Sequence, residues 1–111
     1  MITAKHYKDF SLCLDEERFY DAHEVLEEIW YPLRFEESNE IQLLKGFINA
    51  SVSFELIKKG RIKQSKIPWL TYLKYRQFLF KTSSSKIQIY YNIFQSIELT
   101  KKKLDLRENN I

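Results

Sequence analysis

Residues 39–60 read NEIQLLKGFINASVSFELIKKG. At helical spacing the apolar side chains Ile41, Leu43, Leu44, Phe47, Ile48, Ala50, Val52, Phe54, Leu56 and Ile57 point nearly all round. That is the pattern of a helix surrounded by others, not of one lying on a surface. Ser38 or Asn39 suits its N-cap, and Gly60 stands just past Lys59 where a C-terminal glycine belongs. Gly46 would weaken an isolated helix, so a closely approaching neighbour is expected there. A central helix of this kind sets the fold class: all-α, one compact bundle of about five helices, a single domain over 1–111.

Working outward, a first helix is predicted from Thr3 to Leu14, with Tyr7, Phe10 and Leu14 on one side. A second runs from Glu16 to Trp30 or Tyr31, capped by Asp15 and stopped by Pro32, since the residue before a proline is pushed out of helical geometry. Pro68 is expected in the first turn of a fourth helix, Pro68 to Lys81, where its missing N–H costs nothing. After the polar turn Thr82–Ser85 a fifth helix follows from Lys86 to Leu104, and Asp105–Ile111 should fray. Two glycines and two prolines are too few for the turns of a sandwich or barrel. No glycine pair has the spacing of a phosphate-cradling loop.

The chain is 44% apolar and 30% charged, as in an ordinary globular domain. Its net charge of +3 hides an asymmetry: residues 1–55 hold 12 carboxylates and 5 Lys or Arg, residues 56–111 hold 3 and 13. Oppositely charged halves suit helices packed side by side, or a basic face offered to an acidic partner. The lysines spread over several helices without a recognised motif, so nucleic acid is not an expected partner. The single Cys13, between Leu12 and Leu14, excludes an intramolecular disulfide and reads as a small core residue. Neither a signal peptide nor about 20 consecutive apolar residues is present, so no membrane span and a cytoplasmic location are expected.

The chemistry concentrates in Phe19-Tyr20-Asp21-Ala22-His23-Glu24-Val25-Leu26-Glu27-Glu28-Ile29-Trp30. On a helical wheel Phe19, Ala22, Val25, Leu26, Ile29 and Trp30 form the apolar arc. His23 lies on its margin, Glu27 one step further out, and Glu24 and Glu28 towards water. Four-residue spacing lets the imidazole of His23 and the carboxylate of Glu27 reach one point. There they can hold a divalent metal such as zinc, or simply pair with each other. A metal would need further ligands, for which Glu55 is best placed and His6 and Asp9 come next. The zinc-protease pattern His-Glu-x-x-His fails, because Glu27 stands at the second histidine and Glu24 turns to solvent. Cys13 and the serines have no base at motif spacing.

This stretch, with Leu44-Lys45-Gly46-Phe47-Ile48-Asn49-Ala50 and Lys59-Gly60, resembles the small bacterial domain of unknown function numbered 309. The resemblance rests on His-x-x-x-Glu-x-x-Trp/Tyr, matched by His23, Glu27 and Trp30, and on Gly46, Asn49 and Ala50. It spans 17–60. It implies an all-helical fold and a metal-binding role for the His and Glu, with no reaction attached. Many relatives carry glutamine where this chain has the shorter Asn49. Trp30 is placed to wall the His23 pocket, while Asn49 and Glu55 lie about 120° apart, so only one of them should face it.

Two functions follow as expectations, and neither establishes whether the chain is an enzyme. One is a divalent-metal site at His23, Glu27 and Glu55. The other is a protein-interaction or self-associating module using the aromatic, basic C-terminal half, where Trp69, Tyr72, Tyr75, Phe78 and Phe80 crowd one helix and a five-helix core has no room for all.

Overall fold

The computed structural model describes residues 1–109. Five helices follow one another: α1 Ala4–Asp15, α2 Phe19–Leu33, α3 Asn39–Lys58, α4 Ile62–Tyr75 and α5 Ile87–Asn109. A 3-10 segment, Arg76–Lys81, extends α4. Among the described residues no helix is long and apolar enough to cross a membrane.

α3 is the axle of the bundle. Its buried residues, from Ile41 through Leu44 and Phe47 to Phe54, lie on every side of the helix, and α2, α4, the 3-10 segment and α5 all pack on it. The Ser38 hydroxyl caps it by accepting the Ile41 N–H. Gly60 ends it at φ +77°, a conformation that costs glycine little. Gly46 has the neighbour its position called for: a Cβ built there would stand 2.9 Å from the Cβ of Tyr75. α1 begins at Thr3, which exchanges capping bonds with His6, and packs on α2 and α5. Cys13 is buried in the core, and burial pushes its thiol up, as suits a packing residue.

Several expected boundaries move. α2 starts at Phe19, not Glu16, because Glu17 turns the chain with φ +56°. That conformation is clamped: Lys58 Nζ donates to the Glu17 carbonyl at 2.7 Å, and Arg107 pairs with its carboxylate at 2.6 Å. Pro32 lies inside the last turn of α2, one residue before its end. Pro68 is not in a first turn; α4 begins six residues earlier and contains it. Pro68 is buried there, and Ser53 of α3 donates to the Ser65 carbonyl at 2.8 Å, fastening the preceding turn of α4 to α3. α4 stops at Tyr75, so 76–81 is 3-10 and not α-helix. α5 runs on through Asp105 to Asn109 instead of fraying. Leu104 is buried, Lys101 pairs with Asp105 one turn on, and Arg107 reaches Glu17. The remainder of the stretch expected to fray, Asn110 and Ile111, lies outside the described residues.

Two buried phenols brace the outer helices. Tyr72 donates to Glu98 at 3.2 Å and Tyr90 to Glu40 at 2.7 Å. Burial first, and then the adjacent carboxylate, holds both phenols well above the ordinary range. The folded chain therefore keeps protons that the unfolded chain sheds above about pH 10, so their contribution is complete below that pH and is lost above it. Urea unfolding followed from about pH 8 to about pH 11 should show stability falling over the upper part of the range. In a Tyr72→Phe/Tyr90→Phe variant that fall should flatten; an equally steep fall would contradict the assignment.

Candidate functional site

α2 buries Phe19, Ala22, Leu26 and Ile29 against the core, and this fixes the rotation of the helix. His23 and Glu27 then fall on its margin, as the wheel requires, with side chains 22% and 37% exposed. His23 Nε2 and Glu27 Oε2 are in direct contact. Glu24 and Glu28 are exposed. The aromatic ring found beside His23 is that of Tyr20, 5.7 Å between centroids. Trp30 is half-buried and packs against the core.

The remaining predicted residues have other partners. Glu55 is paired with Lys59 at 3.6 Å. Asn49 turns its amide back to the Lys45 carbonyl, at 2.9 Å. His6 Nδ1 accepts from the Thr3 N–H, and Asp9 pairs with Lys5. Among the described residues no group of three or more His, Cys, Asp or Glu is placed to hold a metal ion. His23 and Glu27 are thus two suitable donors, one nitrogen and one oxygen, where a zinc centre takes three or four from protein. The set does not close a metal centre by itself.

A second site lies on the opposite side of α3. α4 and α5 both rest on that helix, yet among the described residues no Cα of one comes within 8 Å of a Cα of the other, which is farther apart than helices packed with axes about 8–10 Å apart would be. The result is an open groove of about 740 Å³. Trp69, Leu73 and Phe94 are half-buried in it, and Tyr91 and Leu99 are exposed along it. Glu98 crosses the gap, accepting from Tyr72 and pairing with Arg76 at 2.7 Å. Lys101 sits over the Trp69 ring, 5.1 Å from its centroid, and is itself paired with Asp105. Elsewhere the basic half stacks on its own aromatics, Lys74 over Tyr75 and Lys81 over Phe78.

The crowding of α4 was legible, and part of it stays outside the core: Tyr72 is buried, Trp69, Tyr75 and Phe78 are half-buried, and Phe80 is 79% exposed. The α5 wall was missed. Its signal was Tyr91 and Leu99, apolar residues eight apart and off the buried face of Tyr90, Ile93 and Ile97.

A family described as a domain of unknown function (DUF309) matches residues 7–67. The matched segment includes α2 and α3 whole and ends just before Pro68, so it contains His23 and Glu27 and leaves the groove walls outside. No curated protein and no solved structure matches the chain.

Proposed function

The chain belongs to the DUF309 family, and from that premise we propose that it is an interaction module which takes a helical segment of polypeptide into the groove between α4 and α5. The observation that carries this reading is the groove itself: half-buried Trp69, Leu73 and Phe94 as its floor, with exposed Tyr91 and Leu99 as its rim. An aromatic and aliphatic floor bounded by charged residues is the composition of recognition surfaces that seat an amphipathic helix. From Tyr91 to Asp105 the α5 wall is about 21 Å long, room for roughly four helical turns.

The test is selection from a displayed library of random peptides about 16 residues long, a length of four to five turns. Wild-type protein should enrich a family of sequences with apolar residues at helical spacing. Leu99→Asp, a change at an exposed position, should bind them at least about thirtyfold more weakly, a loss of about 2 kcal/mol. No enrichment, or equal binding by the variant, would remove the reading.

A divalent metal such as zinc, held by His23 and Glu27, is the second reading. Its support is the convergence of an imidazole nitrogen and a carboxylate oxygen in a half-buried position. Water would supply the remaining ligands. Elemental analysis of protein prepared with metal in excess should find about one ion per chain, lost in His23→Ala. Metal-free wild type would dismiss it.

A further inference from the structure

We infer that the helical segment seated in the groove is the outer stripe of α2 from a second copy of the chain, an inference that rests on reading the groove as a polypeptide-binding site. Tyr20, Glu24, Glu27 and Tyr31 stand at i, i+4, i+7 and i+11, which places them on one line along α2 about 16 Å long. That line fits within the α5 wall of the groove. Its two tyrosines are 59% and 53% exposed, on the side of α2 away from buried Phe19, Ala22, Leu26 and Ile29. Within their own molecule Tyr20 and Glu27 lie beside His23 and Tyr31 lies under Arg34, all on α2 and the turn after it. The outer faces of an aromatic ring at each end and of the carboxylates between them are left towards solvent.

The charges match as well. α2 carries Asp21, Glu24, Glu27 and Glu28 and no Lys or Arg. Between Leu56 and Ile97 the chain has nine Lys or Arg and no carboxylate. Of the three cations lining the groove, Arg76 and Lys101 are paired with Glu98 and Asp105, and Lys102 on α5 makes no ion pair among the described residues. Lys102 is the cation that Glu24 or Glu27 of an incoming helix would meet, with Tyr20 and Tyr31 reaching the apolar floor. The two surfaces cannot meet within one molecule: among the described residues α2 has no Cα within 8 Å of α4 or α5, because α3 lies between them. The contact is therefore between copies and head-to-tail. Each molecule offers one stripe and one groove, and assembly grows with concentration unless a ring closes.

Sedimentation equilibrium of the full chain tests this, using two variants changed at exposed positions: Glu24→Lys/Tyr31→Ser, which keeps the groove, and Leu99→Asp, which keeps the stripe. Circular dichroism first establishes that both fold. Wild-type average mass should rise between about 10 µM and about 1 mM. The rise should shrink as salt goes from about 50 mM to about 500 mM. Each variant alone should stay monomeric, and an equimolar mixture should stop at a one-to-one dimer, since it contains one working stripe and one working groove. A monomeric wild type, association unaffected by the variants, or a mixture that fails to dimerise would each overturn the proposal. If peptide selection on the groove succeeds while wild type stays monomeric, only the identity of the occupant is wrong. If both fail, the groove reading falls with it.

Discussion

Phe54→Ala should cost about 3–5 kcal/mol, the range for emptying a fully buried aromatic position. A domain of this size has about 5–15 kcal/mol in total, so the variant should sit near the edge of folding. Phe54 is fully buried on α3, with Phe19 of α2 at 5.5 Å and Trp69 of α4 at 5.9 Å between ring centroids. Its removal leaves a cavity shared by three helices, which cannot all close in on it at once. The consequence extends to the proposed binding groove, because Trp69 packs against Phe54 and lines that groove. Urea unfolding should give a much lower midpoint, and groove ligands should bind more weakly even where the variant is folded. Phe80→Ala is the control: at 79% exposed it should stay within about 0.5 kcal/mol. A loss under about 1 kcal/mol at Phe54 would mean that the three-helix contact is not as described.

Gly46 is the second large effect, and there the sign must be argued. Alanine is the better helix former by about 1 kcal/mol, so on propensity alone Gly46→Ala stabilises. Against that, the new methyl would stand 2.9 Å from the Cβ of Tyr75, an atom tied directly to the backbone of α4. Relief requires shifting one helix against the other, and overpacking of this kind costs about 1–3 kcal/mol. We expect a net loss of up to about 2 kcal/mol for alanine and more than about 3 for Gly46→Leu, whose branches need space held by the Tyr72 carbonyl and the Tyr75 backbone. Thermal unfolding of both variants decides it. A more stable alanine variant would show that α4 moves aside freely.

Gly46 also shows how far the sequence could be read. Gly46 in an otherwise apolar helix announced a close neighbour but not which one, since the helix period says nothing about an element some 30 residues on. The convergence of His23 and Glu27 was legible because it is local, and the partner expected from Glu55 was not because it is not local. Two residues four apart are placed by one helix, whereas Glu55 depends on how α3 is rotated against α2, and Lys59, one turn along its own helix, took it instead. Pro68 misled because a start-of-helix position and a tolerated interior position look alike until the bond from Ser53 to the Ser65 carbonyl is seen.

What residues 1–111 determined unaided is therefore local: five helices, the central rank of α3, and the faces of α2, all of which follow from side-chain periodicity along a rigid backbone. Tertiary structure decided the rest. The reach of α5 rests on Arg107 meeting Glu17 across 90 residues, and the groove exists because α4 and α5 share α3 as a support with their backbones held apart, only side chains such as Glu98 and Lys101 spanning the gap. Such features depend on the distances between helices, and these are set by the volumes of side chains far apart in the chain, which no local pattern records.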